Sequence, residues 1–164
     1  METRIRWSHG MTFVATGETG HAVVMDTKKA VGGHESAPSP KELLLFALGG
    51  CTGMDVVSIL RKMRVETASF EVHASAETEE PHPKAFKSFH LEYRFEGQDL
   101  PLPSLERAVV LSQDKYCSVS HTLRVGHPMT WSIVVNGETV ARGDSESAHA
   151  AVVKAESEKA GARG

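Results

Sequence analysis

The chain has 164 residues, a formal net charge of −3, a hydrophobic fraction of 40% and two cysteines. That length fits a single domain, and the slightly acidic balance argues against nucleic-acid binding driven by phosphate neutralisation, which needs a basic face. No run of eighteen or more apolar residues occurs and no apolar segment follows Met1-Glu2-Thr3-Arg4, so neither a membrane span nor a signal peptide is expected and the expected compartment is the cytoplasm.

The first thirty residues read as strands. Arg4-Ile5-Arg6-Trp7 alternates, Met11 to Thr16 is β-rich, and His21 to Asp26 is a further short run. Thr16-Gly17-Glu18-Thr19-Gly20 has the composition of a hairpin turn, and residues 27–38, with Gly32, Gly33 and Pro38, of an exposed loop. A long helix follows over about 39–64. Ser39 suits its N-cap, Pro40 its first position, and Ser39-x-x-Glu42 is a capping box. Apolar residues from Leu43 to Met63 cover nearly its whole circumference, the pattern of a helix inside a core or a dimer interface. At about 25 residues it spans roughly 38 Å, long for one small domain to bury alone. Gly49, Gly50 and Gly53 thin it around Cys51, so that a neighbouring backbone or ligand can approach closely.

Residues 68–77 place Phe70, Val72, Ala74 and Ala76 on one face of a strand, and 86–95 do the same less cleanly with Phe89, Leu91, Tyr93 and Phe95. A short helix is expected over 103–111, a second from near Cys117 to Arg124, and a last strand over 130–135 ending in the turn Asn136-Gly137. Past Gly143 the composition turns to Ala, Ser, Glu and Lys with little to bury.

Two thiols in a cytoplasmic chain are more often catalytic or redox-sensing than a structural disulfide. Reactivity follows the thiolate, so local charge decides. Cys117 stands at a helix start beside Lys115, where free N–H groups and a cation lower a thiol pKa. Cys51 sits well inside an apolar helix with no such device. Local chemistry therefore ranks Cys117 as the better nucleophile. The plainer alternative is that both are buried packing residues, as free cysteines often are. Asp55 follows Cys51 by one helical turn and can share its pocket, while Glu42 is a catalytic candidate that also has a capping role. The histidines form no His-x-x-x-His ligand pair and the cysteines no Cys-x-x-Cys, so no metal and no cofactor is expected.

These motifs together resemble the OsmC/Ohr family of osmotically induced and organic-hydroperoxide-resistance proteins, and most of all its YhfA-like branch. The residues that carry the likeness are Ser39-Pro40-x-Glu42-Leu43, Gly49-Gly50-Cys51, Asp55-Val56-Val57-Ser58-Ile59-Leu60 and Lys115-Tyr116-Cys117-Ser118-Val119, in that order. The resemblance implies a single α+β domain over 1–137, with 138–164 a partly helical or disordered extension. It further implies an intertwined homodimer whose long helices pack between antiparallel sheets, with sites at the subunit interface. By the same resemblance the protein is a thiol-dependent peroxidase of the oxidative stress response, in which Cys51 attacks a hydroperoxide, Cys117 resolves the sulfenic acid to a disulfide, and a dithiol reductant restores the pair. An apolar lining from Phe46, Leu48, Met54 and Val57 then favours organic hydroperoxides. The alternatives are a non-enzymatic thiol redox sensor and a small apolar ligand-binding protein of the same fold.

The sequence departs from the family pattern at one place. Peroxidases of the family activate the first cysteine with an arginine from an early hairpin, held by a glutamate directly after the helix-start proline. Here Thr16 to His21 contains no arginine and Lys41 follows Pro40, with Glu42 one residue later. Lys41, His21, Arg4 and Arg6 are the cations available as substitutes.

Overall fold

A computed structural model describes residues 1–148. The chain divides into two compact units, Met1–Phe46 and the part from Ala47 onward, and the division falls within one long helix. In the first unit, strands β1 (Thr3–His9), β2 (Thr12–Gly17) and β3 (Ala22–Met25) form an antiparallel sheet in that order. The Thr16–Gly20 turn forms as expected, closed by the Gly20 N–H donating to the Gly17 carbonyl at 3.1 Å. Ile5, Trp7, Phe13 and Val23 are exposed. The pairings Ile5↔Ala15, Trp7↔Phe13 and Ala15↔Val23 put them on one face, because directly opposed residues of antiparallel strands share a side.

The loop after β3 has an anchor that its polar composition hides. Asp26 is buried, and its carboxylate accepts from the Thr27, His34 and Ser36 N–H groups and the Ser36 hydroxyl. The Ser36 hydrogen bonds above all hold that carboxyl far below the usual range.

Helix α1 (Pro40–Met63) starts as the capping box requires. Glu42 accepts from the Ser39 N–H at 2.8 Å and the Ser39 hydroxyl at 2.7 Å, and its own N–H donates back to Ser39 Oγ at 3.3 Å. These bonds lower the Glu42 pKa. Only Leu48, Thr52, Val56, Ile59 and Leu60 of α1 are buried, one stripe of a helix that is apolar all round. Averaged over an 18-residue window its mean hydropathy is 1.9, enough by length and composition to cross a membrane, with 28% of that window buried. The core helix of a soluble protein meets the same two criteria, so these figures do not make α1 a membrane span.

The second unit holds a four-stranded sheet in the order β4 (Ser69–Thr78), β5 (Phe86–Glu96), β6 (Met129–Val135), β7 (Glu138–Asp144). The β5–β6 pair is parallel, so this sheet is mixed and not antiparallel throughout. A parallel neighbour demands a crossover, and residues 97–128 supply it with α2 (Leu102–Leu111), a π-helical turn (Ser112–Tyr116) and α3 (Ser118–Leu123). Phe89, Leu91, Tyr93 and Phe95 line one face of β5 beside Met129, Trp131 and Ile133 of β6, all buried, together with Leu105, Ala108 and Val109 of α2. Gly53 faces β4, its Cα side open to Val72 and Phe70.

Strand β7 lies beyond the expected domain end at 137. The register Val135↔Glu138 leaves a two-residue loop, and Asn136 (φ 50°) and Gly137 (φ 87°) both have positive φ. That is the geometry of a hairpin turn, not a chain end. Opposite Trp131 this edge strand places Gly143, where a Cβ would fall 2.4 Å from the indole ring. Of the expected extension, 138–144 is thus sheet, 145–148 is helical, and 149–164 lies outside the described residues.

Two glycine substitutions separate these packings in urea unfolding. Gly143→Ala drives a methyl into Trp131 and should lose about 1–3 kcal/mol. Gly53→Ala meets Val72 at 3.5 Å and Phe70 at 3.8 Å, ordinary contacts, and should be neutral or gain up to about 1 kcal/mol from helix propensity.

Candidate active site

Three consecutive features of α1 point toward the crossover: Cys51, Thr52 and, one turn on, Asp55. Thr52 is fully buried in an otherwise apolar stripe, so its hydroxyl needs partners. It finds Tyr93 Oη of β5 at 2.6 Å and Ser112 Oγ at 2.8 Å, and it accepts from Gln113 Nε2 at 3.2 Å. Gln113 Nε2 also donates to Tyr93 Oη at 2.7 Å and to Ser120 Oγ at 3.4 Å. The Ser112 hydroxyl lies 3.1 Å from Asp55 Oδ2 and donates to it.

The π-helical turn explains how two successive crossover residues reach this cluster. Its extra residue per turn closes through the Cys117 N–H donating to the Ser112 carbonyl at 2.9 Å, and Ser112, Gln113 and Asp114 are all buried within it. Arg124, the C-cap of α3, braces the turn by donating Nη1 to the Gln113 carbonyl at 3.2 Å, while His121 hydrogen-bonds the Asp114 carbonyl. The turn ends on Cys117, which is the N-cap of α3 and accepts from the Ser120 N–H at 3.4 Å.

This geometry brings the two cysteines together. The sulfur atoms of Cys51 and Cys117 and a carboxylate oxygen of Asp55 all lie within 4.8 Å of one another. Both thiols are free, Cys51 half-buried and Cys117 wholly buried. Burial pushes the Cys117 thiol up to about 11. The hydrogen bonds from Ser120 act in the opposite direction and lose, and a hydrogen bond to Cys51 adds to the rise. The activation expected of Cys117 is thus overridden: the helix-start N–H is present, but desolvation outweighs it. Cys117 stays protonated at neutral pH and offers its proton toward Cys51.

Asp55 joins the thiols. Glu42 sits in its capping box, and its hydrogen bonds among the described residues go to Ser39. Of the four apolar residues expected to line the site, Leu48 is in the core, whereas Phe46, Met54 and Val57 are exposed. Arg4, Arg6, His21 and Lys41 all belong to the first unit. The buried cluster of Thr52, Tyr93, Ser112, Gln113 and Ser120 escaped the sequence reading. The signals were a hydroxyl on the inner stripe of an apolar helix and a tyrosine in an otherwise phenylalanine and leucine row.

The model of the family described as OsmC-like protein matches residues 33–132. The chain is 38% identical over 135 residues to Protein YhfA of Escherichia coli (strain K12), covering 82% of this chain and 98% of that one. The chain belongs to the OsmC-like family. Among solved structures, a hypothetical protein from Aquifex aeolicus VF5 is 30% identical and superposes with a TM-score of 0.71 over 82% of this chain and 95% of its own. An organic hydroperoxide resistance protein OsmC from Legionella pneumophila, at 15% identity, shares the fold with a TM-score of 0.60 over 82% of this chain and 98% of its own. The OsmC-like fold thus accounts for the α+β architecture read from the sequence.

Two measurements probe this OsmC-like site. Thr52→Val keeps the shape but removes one buried hydrogen-bond partner from each of Tyr93, Ser112 and Gln113, and should cost about 1–3 kcal/mol in denaturant unfolding. In Cys51→Ser, alkylation of Cys117 should stay slow at neutral pH and accelerate only well above pH 9. The same shift should make the folded state lose stability as pH rises from about 9 to about 11, because the unfolded thiol releases its proton first.

Proposed function

We propose that the protein is a cytoplasmic, cysteine-based reductase of organic hydroperoxides that works as a homodimer. The observation that carries this reading is the approach of two free thiols from elements 66 positions apart in the sequence to within 4.8 Å, one accessible and one buried behind it. Cys51, as thiolate, attacks the hydroperoxide; an S–O bond forms, the O–O bond breaks, and the alkoxide takes a proton to leave as alcohol. Cys117 then attacks the sulfenic sulfur, water leaves, and the pair becomes a disulfide. Two exchange steps with a dithiol reductant return both thiols. Burial and a high pKa suit a resolving cysteine, which must wait until the first has reacted. Glu42 serves through the start of α1, which it holds in shape.

The dimer reading rests on exposed apolar surface. Phe46 is 60% and Met54 72% exposed on α1, and Trp7 62% on the first sheet. Large apolar side chains left open to this extent are what a second copy would cover. The Thr16–His21 hairpin holds no arginine in either copy, so the activating cation of this reading is one of Lys41, His21, Arg4 and Arg6.

Stopped-flow oxidation of the reduced protein tests the reading. An alkyl hydroperoxide should oxidise the wild type faster than hydrogen peroxide, Cys117→Ser should halt at a dimedone-trappable sulfenic acid, and Cys51→Ser should be inert. Equal or inverted peroxide preference would sink the organic substrate. Thiols that survive excess hydroperoxide in the wild type would leave the cysteines as packing residues of a binding protein.

A further inference from the structure

We propose that Cys51, Cys117 and Asp55 form a zinc site. Three observations lead there. First, two sulfurs and a carboxylate oxygen within 4.8 Å of one another stand little farther apart than the ligands of a tetrahedral ion with bonds of about 2.3 Å to sulfur and about 2.0–2.2 Å to oxygen. Closing on an ion requires the Cys51 and Asp55 side chains to move inward by up to about 1 Å. Second, Cys51 and Asp55 are one turn apart on α1, the spacing by which a helix offers two ligands from one face. Third, outer hydrogen bonds already orient the ligands: the Ser112 hydroxyl donates to Asp55 Oδ2 at 3.1 Å and the Ser120 N–H to Cys117 Sγ at 3.4 Å. Functional metal ligands are held this way.

The ligand set selects the metal. Two thiolates favour zinc or copper(I) over magnesium and calcium, and the hard carboxylate tips the choice to zinc. Three protein ligands leave the fourth position to water. No electron moves on binding. Each thiol gives up its proton to solvent and forms a Zn–S bond. The expectation of no metal came from searching local spacings, and this triad is invisible to such a search because Cys117 arrives from a crossover 66 positions away.

Zinc binding does not itself depend on the peroxidase reading, but its consequence does: the ion occupies the dithiol and shields it from hydroperoxide. The test uses full-length, reduced, metal-free protein titrated with zinc chloride without oxygen against a chromogenic chelator. One zinc per chain is expected. Cys51→Ser and Asp55→Asn should each bind at least about 100-fold more weakly, and Ser112→Ala about 10-fold more weakly, the effect of losing an outer hydrogen bond. Wild type alkylated at the accessible Cys51 should not bind, which provides an arm that needs no mutant to fold. Absence of uptake by the reduced wild type, or unchanged affinity in Cys51→Ser or Asp55→Asn, would overturn the site. A protein that binds zinc through the triad but ignores hydroperoxide keeps this inference and removes the peroxidase reading. One that reduces hydroperoxide without binding zinc does the reverse.

Discussion

Thr52 puts a hydroxyl where α1 presents its buried stripe, and Tyr93, Ser112 and Gln113 come to meet it. A buried hydroxyl without partners costs about 1–3 kcal/mol, so rotation of α1 about its axis or sliding along it would strand several polar groups at once. That constraint has a direct consequence one residue earlier. With Thr52 fixed inward, Cys51 stands at the edge of the core, half-buried, and its sulfur faces the end of the π-helical turn where Cys117 waits. The polar cluster thus helps set the position of the dithiol, while the burial of Leu48, Val56 and Ile59 adds apolar stabilisation.

The same region bears on the division of labour proposed for the thiols. Cys117 caps α3 and receives an N–H, the device that activates many cysteines. It is also wholly buried, and burial prevails. A resolving thiol held neutral avoids competing for oxidant and remains a hydrogen-bond donor toward its partner. Cys51 is the accessible member, beside a carboxylate steadied by Ser112. The arrangement serves a redox pair or a metal with equal economy, because both need two sulfurs close together and one of them reachable.

The local signals in the sequence were reliable where the physics is local. The Ser39–Glu42 capping box located the start of α1 to the residue, alternation gave β4 and β5, and the apolar circumference of α1 announced surface that a single copy leaves open. Legibility ended where tertiary packing decides. Thr52, Ser112, Gln113 and Ser120 carry no periodic signature, and the π-helical turn that aims Ser112 and Gln113 inward has no composition of its own. The order of the thiols depended on how deeply Cys117 is buried, which no neighbour in sequence records. Strand β7 was missed because Gly143 replaces an apolar residue to admit Trp131, although Asn136-Gly137 had already given the hairpin.

The central claim is that Cys51 and Cys117 of one chain act as a single dithiol. A peptide map of the protein after treatment with an alkyl hydroperoxide tests it most directly. The account predicts one new species, the Cys51 peptide joined by a disulfide to the Cys117 peptide of the same chain. Recovery of both peptides with free thiols, or of disulfides that link separate chains, would contradict it.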